Sequence, residues 1–241
     1  MNVAVDVKVG EHIEWTIFGV TLHGDTITST VVAGAIVIGL GLWVRRKIDA
    51  RKPSNGQLFF ETVTDQVERQ VEDTMGIKTA PFVVPLAMAL FLFILVANWL
   101  SILPVLHASS GEVLPPPASD VNLTYALAFL VIVLMHVTGV RKKGVRGYYH
   151  HLVTPSIAML PINIIEELVR PVTLALRLFG NIFSGTIMVA LMGLFPAWIG
   201  WAPQVLWKTF DMFIGLIQAF IFGLLTILYF ASVRPAEEGA H

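Results

Sequence analysis

Long stretches without a charged residue alternate with short polar segments along most of the chain. The hydrocarbon core of a bilayer is about 30 Å thick, and an α-helix needs roughly 20 apolar residues to cross it. Stretches of that length predict helices that lie in lipid. The pattern predicts five transmembrane helices, at residues 26–44, 79–106, 121–140, 155–194 and 204–233.

The last two predicted spans belong to one long apolar region that is interrupted near its middle. Residues 168–207 contain only two charged side chains, Arg170 and Arg177. Prolines predict a turn at the interruption, and tryptophans favour the membrane–water interface. The sequence therefore predicts a helical hairpin. The interrupting residues are Pro196, Trp198, Trp201 and Pro203.

One polar segment has helical periodicity of its own. In residues 57–75, apolar side chains recur at helical spacing while acidic side chains occupy the other faces. The pattern predicts an amphipathic helix that lies on the inner membrane surface; an ordinary solvated helix is the alternative. The apolar stripe consists of Phe60, Val63, Val67 and Val71.

The composition of the whole chain indicates a membrane protein. The chain is 55% hydrophobic and 14% charged, with a mean hydropathy of +0.73, whereas soluble domains are usually about 25% charged. The net charge of -1 gives no indication of nucleic-acid binding, and the absence of cysteine excludes disulfides and thiolate metal sites. The predicted fold is an all-α integral membrane protein: a single membrane domain over residues 1–241, with five transmembrane helices and one interfacial amphipathic helix.

Basic residues predict the orientation of the spans, because they are retained on the inner side. They follow the first and third predicted spans in clusters, whereas residues 107–120 contain none and the last hairpin turn has only Lys208. We therefore expect residues 1–25 to be an external N-terminal segment and residues 234–241 to be a cytoplasmic tail. The two clusters are Arg45, Arg46, Lys47, Arg51 and Lys52, and Arg141, Lys142, Lys143 and Arg146.

Arg177 is the charge that most needs an explanation, because apolar residues flank it on both sides within the fourth predicted span. An arginine at the bilayer centre costs on the order of 3 kcal/mol by insertion scales. Its guanidinium stays protonated, so it cannot relay protons, but it favours the ionised form of a nearby carboxylate. The residue predicts an electrostatic gate; a buried structural ion pair is the alternative.

Polar residues share a helical face with this arginine. Antiparallel helices joined by a tight turn can bring such faces together, and polar groups on both sides of one cation predict two offset aqueous half-channels. On this hypothesis Asn181, Thr186 and Asp211 lie outward, Gln218 lies near the depth of Arg177, and Glu166 and Glu167 lie inward. Interhelical hydrogen bonding is the alternative role for Asn181 and Gln218, and a carboxylate at the membrane interface is the alternative for Asp211. The stripes are Thr173, Arg177, Asn181 and Ser184, and Asp211, Gly215, Gln218 and Thr226.

Several segments resemble one known family, the a subunits of F-type ATP synthases. The strongest likeness is PVTLALRLFGNIFS at residues 171–184, and weaker ones are NWLSILP at 98–104, PASDVNLT at 117–124 and QAFIFGLLTILY at 218–229. They occur in the family's order from about residue 80 onward. The resemblance implies a non-catalytic subunit of the bacterial plasma membrane, with no cofactor, whose last two helices form a long tilted hairpin.

The resemblance also implies roles and partners. Arg177 matches the arginine that faces the rotor carboxylate, Asn181 and Gln218 match proton-path residues, and Glu166 matches an inner acid. Thr186 stands where enterobacterial relatives have glutamate, so we expect Asp211 to serve as the outer proton acceptor. The mouth residues considered alongside it are His107, Glu112 and Asp120. The implied partners are the ring of c subunits, the b subunits of the peripheral stalk, the rest of the complex and lipid, with protons favoured over sodium.

Two other classes fit an apolar, multi-span chain. A secondary transporter commonly has internal repeats and broken helices, and no repeat is found in this sequence. An anchor subunit of a respiratory complex would favour paired histidines at mid-span for haem, and only His136 lies within a predicted span, where a structural role is expected.

Overall fold

The computed structural model describes residues 14–17, 20–46, 48, 53–76, 81–100, 107–108, 111–112, 117, 120–150 and 160–232. Helices account for most of this part of the chain. The helices are α1 (Gly24–Arg46), α2 (Asn55–Met75), α3 (Val83–Trp99), α4 (Val121–His150), α5 (Leu160–Met192) and α6 (Ala197–Ser232).

The helical class of the fold is as predicted, and two short antiparallel hairpins accompany the helices. Strands β1 (Glu14–Ile17) and β2 (Val20–His23) pair just before α1, and strands β3 (His107–Ala108) and β4 (Gly111–Glu112) pair between α3 and α4. The first pair is rich in tryptophan, threonine and branched aliphatic residues, which favour strands. Strands of two to four residues are too short for a periodic hydrophobic signal, so the sequence pattern missed them.

Membrane-length helices are present, although the predicted count of five is not reached by length and composition. Three helices in the described part of the chain are long and apolar enough to cross a bilayer: Gly24–Arg46, Asn122–Tyr148 and Trp198–Ser232. Helix α3 is apolar but has 17 residues, fewer than the roughly 20 that a straight crossing needs. The architecture is therefore that of a helical membrane protein, and five spans remain a prediction.

The turn between α5 and α6 is shorter than the sequence predicted. It occupies residues 193–196, and α6 already begins at Ala197, so Pro203 lies inside the helix instead of in the turn. A proline within the second helical turn removes one backbone hydrogen bond, and α6 retains its helical path over 36 residues. Pro196 alone accompanies the break, where the N–H groups of Ile199 and Gly200 bond to its carbonyl oxygen.

The described residues divide into two compact units. The first lies within Met1–Gly41, Leu92–Thr124 and Arg177–Ala219, and the second lies within Leu42–Phe91, Tyr125–Leu176 and Phe220–His241. Both units are assembled from several helices. The first unit contains Arg177, Asp211 and Gln218.

The core of the second unit explains the apolar stripe of α2. Val71 and Met75 of this helix are fully buried in one cluster with residues of α3, α4 and α6, and Val67 packs against that cluster. The stripe therefore contacts protein at its C-terminal half, while Leu58 and Phe59 at the other end are exposed. The remaining cluster members are Val83, Val84, Ala87, Ile132, Met135, Tyr148, Ile227 and Phe230.

Both ends of α2 are capped. The Ser54 hydroxyl accepts a hydrogen bond from the Gln57 N–H at 3.3 Å, which satisfies one of the free donors at the helix start. Gly76 follows the last turn with a φ of 75°, and its N–H bonds to the carbonyl oxygens of Val71 and Glu72. A positive φ of this kind favours glycine, so the sequence fixes where the helix stops.

A kink divides α4 near its basic end. Gly144 has φ 70° and ψ 161°, outside the helical range. Beyond it the chain returns Tyr148 against His136, with ring centroids 5.6 Å apart. His136 Nδ1 donates to the Ile132 carbonyl oxygen at 2.8 Å. The structural role expected for this histidine is consistent with these contacts.

We predict that Val71→Ala lowers the free energy of unfolding by about 1–2 kcal/mol, because it removes two methyl groups from a core without space to refill. Val145→Ala is the matched control: Val145 is 63% exposed and Val71 is 0% exposed, so the control changes stability by less than about 0.5 kcal/mol. Unfolding in mixed detergent micelles measures both. Equal losses for the two variants would contradict the packing of α2 on the helical core.

Candidate functional site

Arg177 is exposed on the surface of α5. None of the side chains that the structure describes forms an ion pair with its guanidinium, so the alternative of an ion pair within the chain has no support there. Thr173 and Ser184 lie on the same helical face and are also exposed. The face that carries the cation is thus presented outward from this chain.

Asp211 of α6 lies against α5 at a glycine. A Cβ atom added at Gly185 would be 3.1 Å from Asp211 Oδ1 and 3.6 Å from its Cγ. The carboxylate therefore fits in the space that a side chain would take. This contact places Asp211 at the level of Ser184 and Thr186 along α5, and the meeting of the two polar stripes remains a prediction.

Two side chains at the end of α3 bind the backbone of α6 next to Asp211. Asn98 Nδ2 donates to the Gly215 carbonyl oxygen at 3.1 Å, and Trp99 Nε1 donates to the Met212 carbonyl oxygen at 3.2 Å. A Cβ at Gly215 would be 3.0 Å from Asn98 Cβ, so glycine permits the close approach of the two helices. These bonds fix the turn of α6 that carries the acid.

Buried polar atoms without a hydrogen-bond partner collect in the first unit. Gln218 is 5% exposed and its Nε2 is unpartnered within the described residues; Asn98 is 4% exposed and its Oδ1 is likewise unpartnered there. Buried polar atoms are normally bonded to protein or to ordered water. All four such atoms found in the described residues belong to this unit: Ser29 Oγ, Asn98 Oδ1, Trp207 Nε1 and Gln218 Nε2.

A second polar cluster lies where α1 begins and the chain approaches α4. Asp120 Oδ2 accepts hydrogen bonds from His23 Nδ1 at 2.7 Å and from Thr26 Oγ1 at 2.8 Å, and Asp120 Oδ1 accepts the Asn122 N–H at 2.7 Å. Burial raises the pKa of Asp120, but the bonds from His23, Thr26 and Asn122 and the charge of His23 outweigh burial and lower the pKa below its usual value. This carboxylate is therefore held ionised.

Some of the predicted site lies outside the description. The side chains of Asn181, Thr186, Glu166 and Glu167 are not described, although their backbones lie in α5, and neither are the side chains of His107 and Glu112. Within the described residues, no three side chains of the types that bind metals are grouped together.

Three positions in this arrangement were not predicted as site residues from the sequence. Asn98 was noted only as part of a motif, although an amide in an otherwise apolar helix is itself a signal of a specific contact. Gly185 gave no signal in the sequence, because the reason for a glycine there is that the Asp211 side chain occupies the space beside it. His23 lay outside every predicted span, and only the fold brings it to Asp120.

Comparison with known proteins gives one consistent result. The family model described as "ATP synthase A chain" matches residues 27–231. A protein of Mycobacterium marinum named "ATP synthase subunit a" is 48% identical over 99% of this chain and 98% of its own length. Proteins of the same name from Acidothermus cellulolyticus and Desulforamulus reducens are 50% and 34% identical, over 95% and 94% of this chain and 83% and 86% of their own lengths.

We predict that cysteines at positions 185 and 211 form a disulfide on mild oxidation. The chain has no cysteine of its own, so the pair can be followed without background. A disulfide needs its Cβ atoms about 3.5–4.5 Å apart, which the approach of Asp211 to Gly185 allows. The measurement is protection of the thiols from a maleimide mass tag in isolated membranes.

The control pairs Gly180→Cys with Asp211→Cys. A Cβ at Gly180 meets nothing within 4 Å, so that pair should remain fully labelled. If the thiols of both cysteine pairs were protected from the maleimide to the same extent, the contact between Asp211 and Gly185 would be contradicted.

Proposed function

The chain belongs to the ATP synthase A chain family, and on that premise we propose how it carries protons through the membrane part of an F-type ATP synthase. It forms two offset half-channels against the c-subunit rotor ring, and a proton passes from one to the other only by riding on the ring. The observation that carries this proposal is the exposed guanidinium of Arg177 on a helix of this membrane protein.

Arg177 acts as a fixed positive charge. A rotor carboxylate that arrives beside it is stabilised as the anion and releases its proton. Because the guanidinium does not deprotonate, it also stops protons from passing directly between the half-channels. Its exposure supports a partner outside this chain, since lipid tails cannot stabilise the charge.

The outer half-channel runs along the facing sides of α5 and α6. Asp211 accepts the incoming proton, and Ser184, Thr186 and Asn181 line the α5 side. Gln218 lies about two helical turns further along the same face of α6, and we assign it to the level of the arginine. The buried and unpartnered atoms of Gln218 and Asn98 support water in this region, because water is the ordinary partner for such atoms.

The inner half-channel begins near the N-terminal end of α5. Glu166 precedes Arg177 by about three helical turns, and Glu167 is the residue directly after Glu166. We assign these acids to the inner side, where they receive the proton that Arg177 displaces from the rotor. The path therefore passes through the cation's electrostatic field once per rotor subunit.

The proposed topology has five spans with the N-terminus outside and the C-terminus in the cytoplasm of a bacterial cell, in the plasma membrane. Helices α5 and α6 contain 33 and 36 residues, which makes each about 50 Å long at 1.5 Å per residue. A bilayer core about 30 Å thick cannot cover such helices upright, so they tilt or protrude. A tilted hairpin gives a long contact with the ring, and α2 faces the b subunits of the stalk.

The free energy for rotation comes from the proton gradient. A neutral rotor carboxyl group can cross lipid, because burial of an uncharged acid costs far less than burial of an ion. The membrane potential contributes about 2.3 kcal/mol per charge per 100 mV. This subunit determines where the rotor carboxyl group gains and loses its proton, and nucleotide chemistry takes place elsewhere in the complex.

We predict that Arg177→Ala abolishes proton-driven ATP synthesis while the subunit still inserts and assembles, because the rotor acid then loses its counter-charge. Arg69→Ala, a change to an exposed arginine on α2, is the matched control and keeps normal synthesis. Inverted membrane vesicles that carry each variant provide the measurement. Coupled synthesis at the normal rate with Arg177→Ala would refute the proposed function.

We predict that Asp211→Asn slows proton uptake from the outer side on the order of a hundredfold, because a positioned proton acceptor typically contributes at least that much. Asp65→Asn removes an exposed carboxylate from α2 and leaves the rate unchanged. Proton flux driven by a potassium diffusion potential in reconstituted vesicles distinguishes them. Equal flux in the two variants would exclude Asp211 from the path.

A further inference from the structure

We propose that the His23–Asp120 pair collects protons at the outer mouth of the path. The inference rests on the proposed function and deepens it, because it identifies the groups that take protons from the outer solution. It concerns a histidine that lies before the first transmembrane helix and far in sequence from the arginine.

The His23–Asp120 pair lies between solvent and the interior of the protein. The His23 side chain is 30% exposed, whereas that of Asp120 is 5% exposed, and their nearest atoms, Nδ1 and Oδ2, lie 2.7 Å apart. One partner can therefore exchange protons with water while the other is enclosed. Imidazole changes its charge between pH 5 and 8 more readily than any other ordinary side chain.

The Asp120 carboxylate places a fixed negative charge on the buried side of the imidazole. Thr26 and the Asn122 N–H both donate to Asp120, so its carboxylate is ionised and oriented before a proton arrives. The carboxylate oxygen of Asp120 lies 2.7 Å from His23 Nδ1, within direct hydrogen-bond reach of the imidazole. Proton transfer from imidazolium to carboxylate leaves two neutral groups. When that proton moves on, neutral imidazole and the Asp120 carboxylate remain, and the hydrogen bonds from Thr26 and the Asn122 N–H stabilise this anion until the next proton arrives.

Buried polar side chains continue from the His23–Asp120 pair along α1 and α4. Asp25, Thr26 and Ser29 of α1 are all buried, and Thr124 is buried one turn into α4. Ser29 lies one turn beyond Thr26 on the same face, and its Oγ is unpartnered within the described residues. A fully enclosed hydroxyl of this kind needs a water molecule or a proton donor, which extends the pair towards the interior of the first unit.

Asp120, before α4, is hydrogen-bonded to this imidazole, and the nearest acid along the chain is the buried Asp25, two positions further on α1. A purely structural latch is the competing explanation, because the same bonds also fasten the start of α1 to the start of α4. A latch lowers activity equally at every pH, whereas a proton collector matters most when protons are scarce.

The test uses intact ATP synthase with His23→Asn, reconstituted in vesicles and driven by a fixed potassium diffusion potential. Asparagine places an amide donor near the position of Nδ1, so the bond to Asp120 is kept while titration is removed. Synthesis is measured as the ratio of variant to wild type with the outer-face pH varied from about 5 to 8, which spans imidazole titration. The ratio cancels the change in driving force.

We expect the ratio to stay near one at the acidic end and to fall on the order of tenfold at the alkaline end, a modest part of what a positioned proton-transfer group contributes. Asp120→Asn should give the same profile, because asparagine also caps a helix start and the bond from Asn122 is kept. His136→Asn is the matched control and should give a flat ratio near one, since His136 lies in the second unit, bonded to the Ile132 carbonyl oxygen, and not at the proposed outer mouth.

A flat ratio for His23→Asn overturns the inference, whether the ratio is near one or uniformly reduced, since the first means no role and the second means a latch. The result is separable from the proposed function. If Arg177→Ala is inactive at every pH while His23→Asn gives a flat ratio, only the collecting pair is wrong.

Discussion

A guanidinium in a helix of a membrane protein needs a counter-charge or water, because hydrocarbon offers neither. Arg177 meets that requirement through its outward-facing position on α5 rather than through an acid among the described residues. The unit that contains this cation also brings polar groups of α6 and α3 together. Asp211 of α6 rests against Gly185 of α5, and Asn98 of α3 donates to the Gly215 carbonyl oxygen of α6.

Close helix contacts then decide where those polar groups lie. At Gly185 and at Gly215 the missing side chains let a carboxylate and an amide approach a helix backbone. Both glycines lie in the first unit, together with every buried and unpartnered polar atom found in the described residues. The second unit instead buries a continuous apolar cluster. Most of the buried polar side chains in the described residues therefore lie in the first unit, although Gln57 and Thr226 are buried in the second.

The sequence predicted much of the helical framework, because lipid enforces long charge-free segments and proteins in water do not. The α2 helix was equally clear from its periodicity. What it packs against was not, because Val71 and Met75 have the same spacing whether they meet lipid or protein. The turn before α6 was placed too far along the chain, because Pro203 is as strong a local signal as Pro196 and only the tertiary structure shows that the helix continues through it.

The site was predictable to the extent that charge in an apolar stretch is conspicuous. Arg177 and Asp211 stand out for that reason. The Asn98–Gly215 bond and the His23–Asp120 pair join residues about a hundred positions apart, and no local pattern in one sequence encodes such pairs. The family resemblance came from motif order and was confirmed by matches over nearly the whole chain, which decides against the transporter and haem-anchor hypotheses.

The contact at Gly185 has a consequence for how such proteins can diverge. A carboxylate on α6 that rests against the backbone of α5 occupies space that a side chain of α5 at the same level would also reach. The position of an acid in space can then be preserved while its position in the sequence changes helix. Column-by-column alignment would record a loss in one helix and an unrelated gain in the other, although the acid occupies nearly the same place.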